Sequence, residues 1–236
     1  MGGGGRRFFL VAEDKEFLIV HKRPGIGFHS DAGEPGLLSL VREQSGCPAL
    51  YPVHRLDRIT SGLVVMAKTQ AANRELSQRF QSRQVEKYYL ALSNRVPKRK
   101  QGLVKGDMAR GRRGGWKLVP SVNNPAVTQF FSRGSGSGLR LFVLKPHTGK
   151  THQLRVALKS LGAPVLGDPV YGSEEADRGY LHAFALGFEL NHHRYRYLEF
   201  PRDGQYFTDP AMASLMDEYR EPWALPWPSL KQVSRG

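Results

Sequence analysis

Residues 52–67 read Pro-Val-His-Arg-Leu-Asp-Arg-Ile-Thr-Ser-Gly-Leu-Val-Val-Met-Ala, and three kinds of signal lie side by side in them. Gly62 to Ala67 is a continuous apolar run, the pattern of a buried strand. Thr60-Ser61-Gly62 has the composition of a turn leading into it. Asp57 precedes that turn and lies between Arg55 and Arg58. A carboxylate at a strand edge can be catalytic, yet an Arg-x-Asp-Arg cluster is more often a surface ion pair. Spacing alone leaves both readings open.

Working outward, Phe8 to Val11 and Phe17 to Val20 flank Glu13-Asp14-Lys15 in a hairpin pattern. Pro24, Gly25 and Gly27 then open a loop toward His29, and Leu37 to Val41 reads as a short helix ended by Gly46 and Pro48. On the other side, Thr69 is placed to cap a helix carrying Ala72, Leu76 and Phe80 at a four-residue spacing. Tyr88 to Leu92, Val127 to Phe131 and Leu139 to Leu144 read as strands, the last two joined by the Gly134–Gly138 turn. A helix with Leu154, Ala157, Leu158 and Leu161 on one face stops at Gly162 and Pro164, with His152, Arg155 and Lys159 as its polar face. Asp209-Pro210 starts a last helix with Met212, Leu215, Met216 and Tyr219 as its stripe. The Trp- and Pro-rich tail after Pro222 is expected to lie extended on the surface. Strand pairs alternating with separate helices predict an α+β fold rather than a doubly wound sheet. No repeat or dividing linker is visible. Residues 1–7 read as a disordered leader, 8–210 as the catalytic region and 211–236 as a C-terminal helix with its tail.

Composition narrows the function. Thirty-five Lys and Arg against 21 Asp and Glu leave a net charge of +14, which points to a polyanionic partner, nucleic acid first. No apolar run reaches the roughly 18 residues of a membrane span, and the N-terminus lacks the apolar core of a secretory signal. The single cysteine, Cys47, cannot form an internal disulfide, which fits the cytoplasm. The segment from Pro97 to Lys117 concentrates basic residues, among them Arg110, Arg112 and Arg113, around Trp116. It reads either as a solvated loop or, as we favour, as a phosphate-contacting arm with an aromatic ring for stacking. His192 and His193 are adjacent and lack the spacing of a chelating pair, so no metal is expected. His54 and His182 read as internal hydrogen-bonding residues, and Asp168 as a turn-stabilising side chain.

The stretch at Asp57 resembles the motif of the RluA-type RNA pseudouridine synthases, His-Arg-Leu-Asp followed by Thr-Ser-Gly. Four further blocks resemble the same family in order. They are Val85-Glu86-Lys87-Tyr88-Tyr89-Leu90-Ala91, the run Thr148 to Arg155, Gly167-Asp168-Pro169 with Tyr171-Gly172, and Leu181-His182-Ala183. The resemblance spans roughly residues 8 to 190. It implies a pseudouridine synthase fold: a mixed, mainly antiparallel sheet with flanking helices and a central RNA-binding cleft. Asp57 would be the catalytic aspartate, attacking or stabilising the ribosyl or uracil intermediate. Tyr89, selected over Tyr88 by register, would stack on the target base and take a sugar proton. Arg155 would ion-pair with Asp57. Arg55 would fill the RNA stack after the uridine flips out, and Leu154 would line the base pocket. Lys150 stands where the family often has arginine, retaining charge without the bidentate geometry. Many relatives carry an accessory RNA-binding domain ahead of the catalytic one; the pattern here begins near Phe8, so recognition is expected to fall on the catalytic region.

Isomerising uridine breaks an N-glycosidic bond, turns the base and rejoins it through carbon, with nothing oxidised and no group consumed. No cofactor is therefore expected, in keeping with the lack of nucleotide-binding motifs. The implied enzyme is an isomerase acting on structured tRNA or rRNA, and a monomer is the default. Two other readings stand beside it: a non-catalytic RNA-binding or RNA-folding protein with a relict pocket, and a glycoside or nucleoside hydrolase. The second alternative lacks an identifiable partner carboxylate.

Overall fold

The computed structural model describes residues 6–31, 33–111, 114–172 and 174–230. In chain order the elements are β1 (Phe8–Glu13), β2 (Phe17–Lys22), α1 (Leu37–Ser45), β3 (Tyr51–Pro52), β4 (Ser61–Ala67), α2 (Gln70–Gln81), β5 (Glu86–Ser93) and β6 (Gln101–Arg110). They continue as β7 (Trp116–Val119), β8 (Ala126–Gly134), β9 (Arg140–Pro146), α3 (Gln153–Ser160), β10 (Leu181–Leu190), β11 (His193–Leu198) and α4 (Pro210–Asp217). They form two interleaved units: residues up to Glu86 with His182–Pro201, and Lys87–Leu181 with the chain from Arg202 onward. Two of the three crossings fall inside β5 and β10, which is why no linker marks them in the sequence.

In the first unit the strands run β1-β2-β4-β10-β11, with β3 also alongside β4. All seven residues of β4 are buried, as a strand with neighbours on both sides requires. Phe17, Ile19, Leu63, Val65, Leu76 and Phe188 form its core. The β4–β10 pairing is parallel and brings Gly62 opposite Ala183. There Gly62 has φ +110°, and a Cβ would lie 2.2 Å from the Ala183 carbonyl oxygen, so only glycine fits. Thr69 caps α2 by accepting from the Ala72 N–H at 3.1 Å. Asn191 and His192, both with positive φ, make the two-residue turn between β10 and β11.

In the second unit β5-β9-β8-β6-β7 follow one another in antiparallel pairs, with α3 against β7 and β8, and α4 against β9. Asp209 caps α4 through the N–H groups of Ala211 and Met212. Two expectations change here. The basic segment is a hairpin of β6 and β7 rather than a loop, because β6 pairs with β8 through residues 101–106, where Leu103, Val104 and Gly106 are buried, and with β7 through 107–110. The tail does not lie free on the surface: the rings of Trp223 and Trp227 stand 5.8 and 5.7 Å from that of Tyr88, and Lys145 Nζ lies 5.2 Å above the same tyrosine. Fully buried Tyr88 offers the tail an aromatic surface that outweighs the solvation of two indoles. Of the leader, Arg6 and Arg7 are described; their carbonyls accept from the Arg23 guanidinium and backbone N–H.

Candidate active site

Asp57 lies half-buried in the turn before β4, its carbonyl accepting the Thr60 N–H at 3.0 Å. The next residue is braced three ways. Arg58 Nε donates to the Gly25 carbonyl at 2.9 Å, while the Arg58 carbonyl accepts the Gly25 N–H at 2.8 Å and Lys22 Nζ at 3.3 Å. Lys22 is fully buried and donates also to the Arg23 carbonyl at 3.0 Å. A buried ammonium must keep such oxygens close, so the end of β2 and the Asp57 turn are held as one piece. Upstream, the His54 ring stacks on Phe80 and its Nε2 accepts the Val65 N–H at 3.1 Å. Leu56 is buried and Arg55 exposed. His182 donates from Nε2 to the Glu199 carbonyl at 2.8 Å, which leaves Nδ1 to accept Ser61 Oγ–H at 2.7 Å.

In the second unit, successive residues of β5 point to opposite faces. Tyr88 is consumed by packing, whereas Tyr89 is half-buried opposite Leu144 of β9. Arg155 in α3 is 4% exposed and forms a bidentate ion pair with Asp168, Nε to Oδ2 at 2.7 Å and Nη2 to Oδ1 at 2.9 Å. Asp168 is thus more than a turn residue. It does accept the N–H groups of Val170 and Tyr171, at 2.9 and 3.1 Å, and also balances the charge of Arg155. Burial pushes the Asp168 carboxyl up, but Arg155 and the two N–H groups outweigh it and hold the pKa below the usual carboxylate value. Gly167, with φ +71°, sets the approach: a Cβ there would lie 2.0 Å from the Arg178 carbonyl oxygen. Of the polar face expected on α3, Lys159 is exposed while Arg155 is buried.

Tyr171 completes this cluster. Its ring centre is 5.1 Å from the Arg155 guanidinium carbon, and its hydroxyl accepts the Trp116 N–H at 2.8 Å and bonds His152 Nδ1 at 2.9 Å. Leu154, next to Arg155 in sequence, is buried. Arg110 lies over the Trp116 ring at 4.4 Å. Lys150 is half-buried; its charge contributes, after the Ser121 hydrogen bond and the N–H groups of Asn124 and Asn123, to holding the Asp107 carboxyl below its usual value. Arg112 and Arg113 lie outside the described residues. Sequence reasoning placed His152 on one face with Arg155 but missed Tyr171 as their neighbour; the signal was a buried arginine's need for more than one partner. Among the described residues, no group of three or more His, Cys, Asp or Glu could hold a metal ion, and no helix is long and apolar enough to cross a membrane.

The mixed sheet with helices and a braced aspartate defines a recognisable class. The family model described as RNA pseudouridylate synthase matches residues 16–160. A Haemophilus influenzae protein named as an uncharacterized RNA pseudouridine synthase is 45% identical over 212 residues, covering 89% of this chain and 95% of that protein. The dual-specificity RNA pseudouridine synthase RluA of Escherichia coli is 35% identical over 176 residues, covering 71% of this chain and 78% of its own. The solved structure of human RNA Pseudouridylate Synthase Domain Containing 1 matches with a TM-score of 0.74 at 25% identity, over 97% of this chain and all of that one. The chain belongs to the RNA pseudouridine synthase family, isomerases that act on RNA.

Proposed function

We propose that the chain converts specific uridines of structured tRNA or rRNA to pseudouridine, with Asp57, Tyr89 and Arg155 in the catalytic roles. Asp57 acts on the ribosyl or uracil group once the base is extruded; Tyr89 stacks on that base and takes a sugar proton; Arg155 is the cation that pairs with the aspartate. The glycosidic C1′–N1 bond breaks, C1′ joins C5 of the turned uracil, C5 loses its proton and N1 gains one, so the product is an isomer. Arg55 occupies the vacated stack and Leu154 borders the base. Arg110, Arg112, Arg113, Trp116 and Lys150 hold the RNA. The enzyme works as a cytoplasmic monomer, with residues 8–210 as its catalytic region.

The observation that carries this reading is the brace on the Asp57 turn: Lys22, Gly25 and Arg58 fix the backbone beside a carboxylate that is only half-buried. A turn held this firmly presents one side chain at a set position, as a reacting carboxylate requires. Asp57→Asn should abolish pseudouridine formation while RNA affinity stays near that of the wild type. Equal product from both would defeat the assignment and leave an RNA-binding role. Pseudouridine mapping of total RNA with and without the gene would name the uridine.

A further inference from the structure

We infer that Tyr171 is a positioning residue that fixes the β6–β7 hairpin relative to Arg155, so that RNA held by the hairpin reaches the reacting groups in register. The inference rests on the proposed function and names a residue that the proposal does not use. Tyr171 is 7% exposed and is held at each of its parts by a different element. Its backbone N–H donates to Asp168 Oδ1, the oxygen that also receives Arg155 Nη2. Its ring stands 5.1 Å from the Arg155 guanidinium carbon. Its hydroxyl takes the Trp116 N–H at the start of β7 and bonds His152 Nδ1 at the start of α3.

A phenylalanine would fill the same space and keep the ring against Arg155. The hydroxyl adds links to Trp116 and His152, partners 55 and 19 residues away in the chain. β7 is four residues long, ends the strand order of its unit, and carries the Trp116 ring under Arg110. Without the Tyr171 bond, its first residue loses a tie that leads directly to the arginine's own support. His152 is itself set for this contact: it adopts φ +57°, a left-handed conformation that non-glycine residues other than Asn and Asp rarely take. A displacement of about 1 Å between bound substrate and reacting groups can cost on the order of a hundredfold in rate, so a tie of this kind has kinetic value.

The test is tritium release from bulk tRNA and rRNA labelled with [5-³H]uridine and taken from cells lacking the gene. The kcat/KM values of wild type, Tyr171→Phe, Arg110→Ala/Trp116→Ala and the triple variant are compared, with melting temperatures as a check on folding. Tyr171→Phe should lower kcat/KM about tenfold in the intact hairpin. In the background stripped of Arg110 and Trp116, the same change should cost less than about twofold, the mark of groups acting through one another. An equal loss in both backgrounds, or none in either, overturns the inference. Should Tyr171→Phe fold poorly, His152 decides. His152→Ala should reproduce the loss, and His152→Asn, which tolerates the left-handed backbone and offers a polar partner, should recover most of it. A His152→Ala enzyme with undiminished activity overturns the inference equally. Absence of tritium release by the wild type, or release by Asp57→Asn equal to it, would instead refute the proposed function.

Discussion

Asp168 grips Arg155 with both carboxylate oxygens, at 2.7 and 2.9 Å, and neither side chain is open to water. The pair joins the Gly167–Gly172 segment to α3, thirteen residues earlier in the chain. A guanidinium in such a place keeps its direction because its planar fork is matched.

Replacing Asp168 by Asn should therefore weaken the fold by roughly 3 kcal/mol or more, since a buried cation loses its counter-charge. The urea midpoint measures this. The pair also predicts acid sensitivity. The folded Asp168 pKa lies below the unfolded value of about 3.9, so its contribution is complete above that value and is lost as pH falls through the folded one. The Asn variant should lack that part of the acid transition.

Protonation charges His147, where it neutralises Asp168. Burial, then the charges of Lys145 and Lys87, lower its pKa below 6.5. As pH falls below that value, the unfolded chain takes up the proton first and stability declines until the folded pKa is passed. His147→Gln should flatten this decline. Urea midpoints at about pH 7.5 and pH 5 for both proteins provide the comparison, and parallel losses would remove His147 as the cause.

Tyr89→Phe keeps a ring for stacking and removes the hydroxyl. Single-turnover conversion should slow by at least about a hundredfold, the usual worth of a positioned acid–base group, while RNA affinity changes little. Loss of affinity with an unchanged rate would assign Tyr89 to binding alone.

Arg110 and Lys117 are exposed on the hairpin beside Trp116. Changing both to Ala should reduce the steepness of log Kd against log salt by roughly 0.7 to 0.9 for each phosphate that these side chains neutralise. An unaltered slope would remove both of them from the RNA footprint.

Much of this architecture was legible where one local rule acts alone. β4 announced itself as an apolar run, α2 through Thr69 and its four-residue spacing, and α4 through Asp209-Pro210. The blocks around Asp57, Tyr89 and Arg155 carried the family. What escaped depended on distant partners. The glycines between Gly102 and Gly115 disguised β6, whose pairing with β8 is fixed by residues 101–106 against 126–131. The tail's placement needed Tyr88, more than 130 residues earlier. The ion pair of Arg155 with Asp168 could not be read because a turn aspartate and a counter-ion look alike in sequence. The β10–β11 hairpin was there to be found in the alternation of Tyr195 and Tyr197, which face Phe17 and Phe188.

The placement of the indoles gives the molecule an optical consequence. The chain has three tryptophans, and two of them, Trp223 and Trp227, are packed against Tyr88. The third, Trp116, lies under Arg110 on the hairpin. With Trp223 and Trp227 changed to Phe, the remaining tryptophan emission, excited at the red edge where tyrosine does not absorb, comes from the hairpin alone, and stacking of a nucleobase on Trp116 would quench it. With Trp116 removed instead, the emission follows the docking of the C-terminal segment. The protein thus carries separate intrinsic fluorophores for ligand capture and for folding, and needs no attached dye to resolve one from the other.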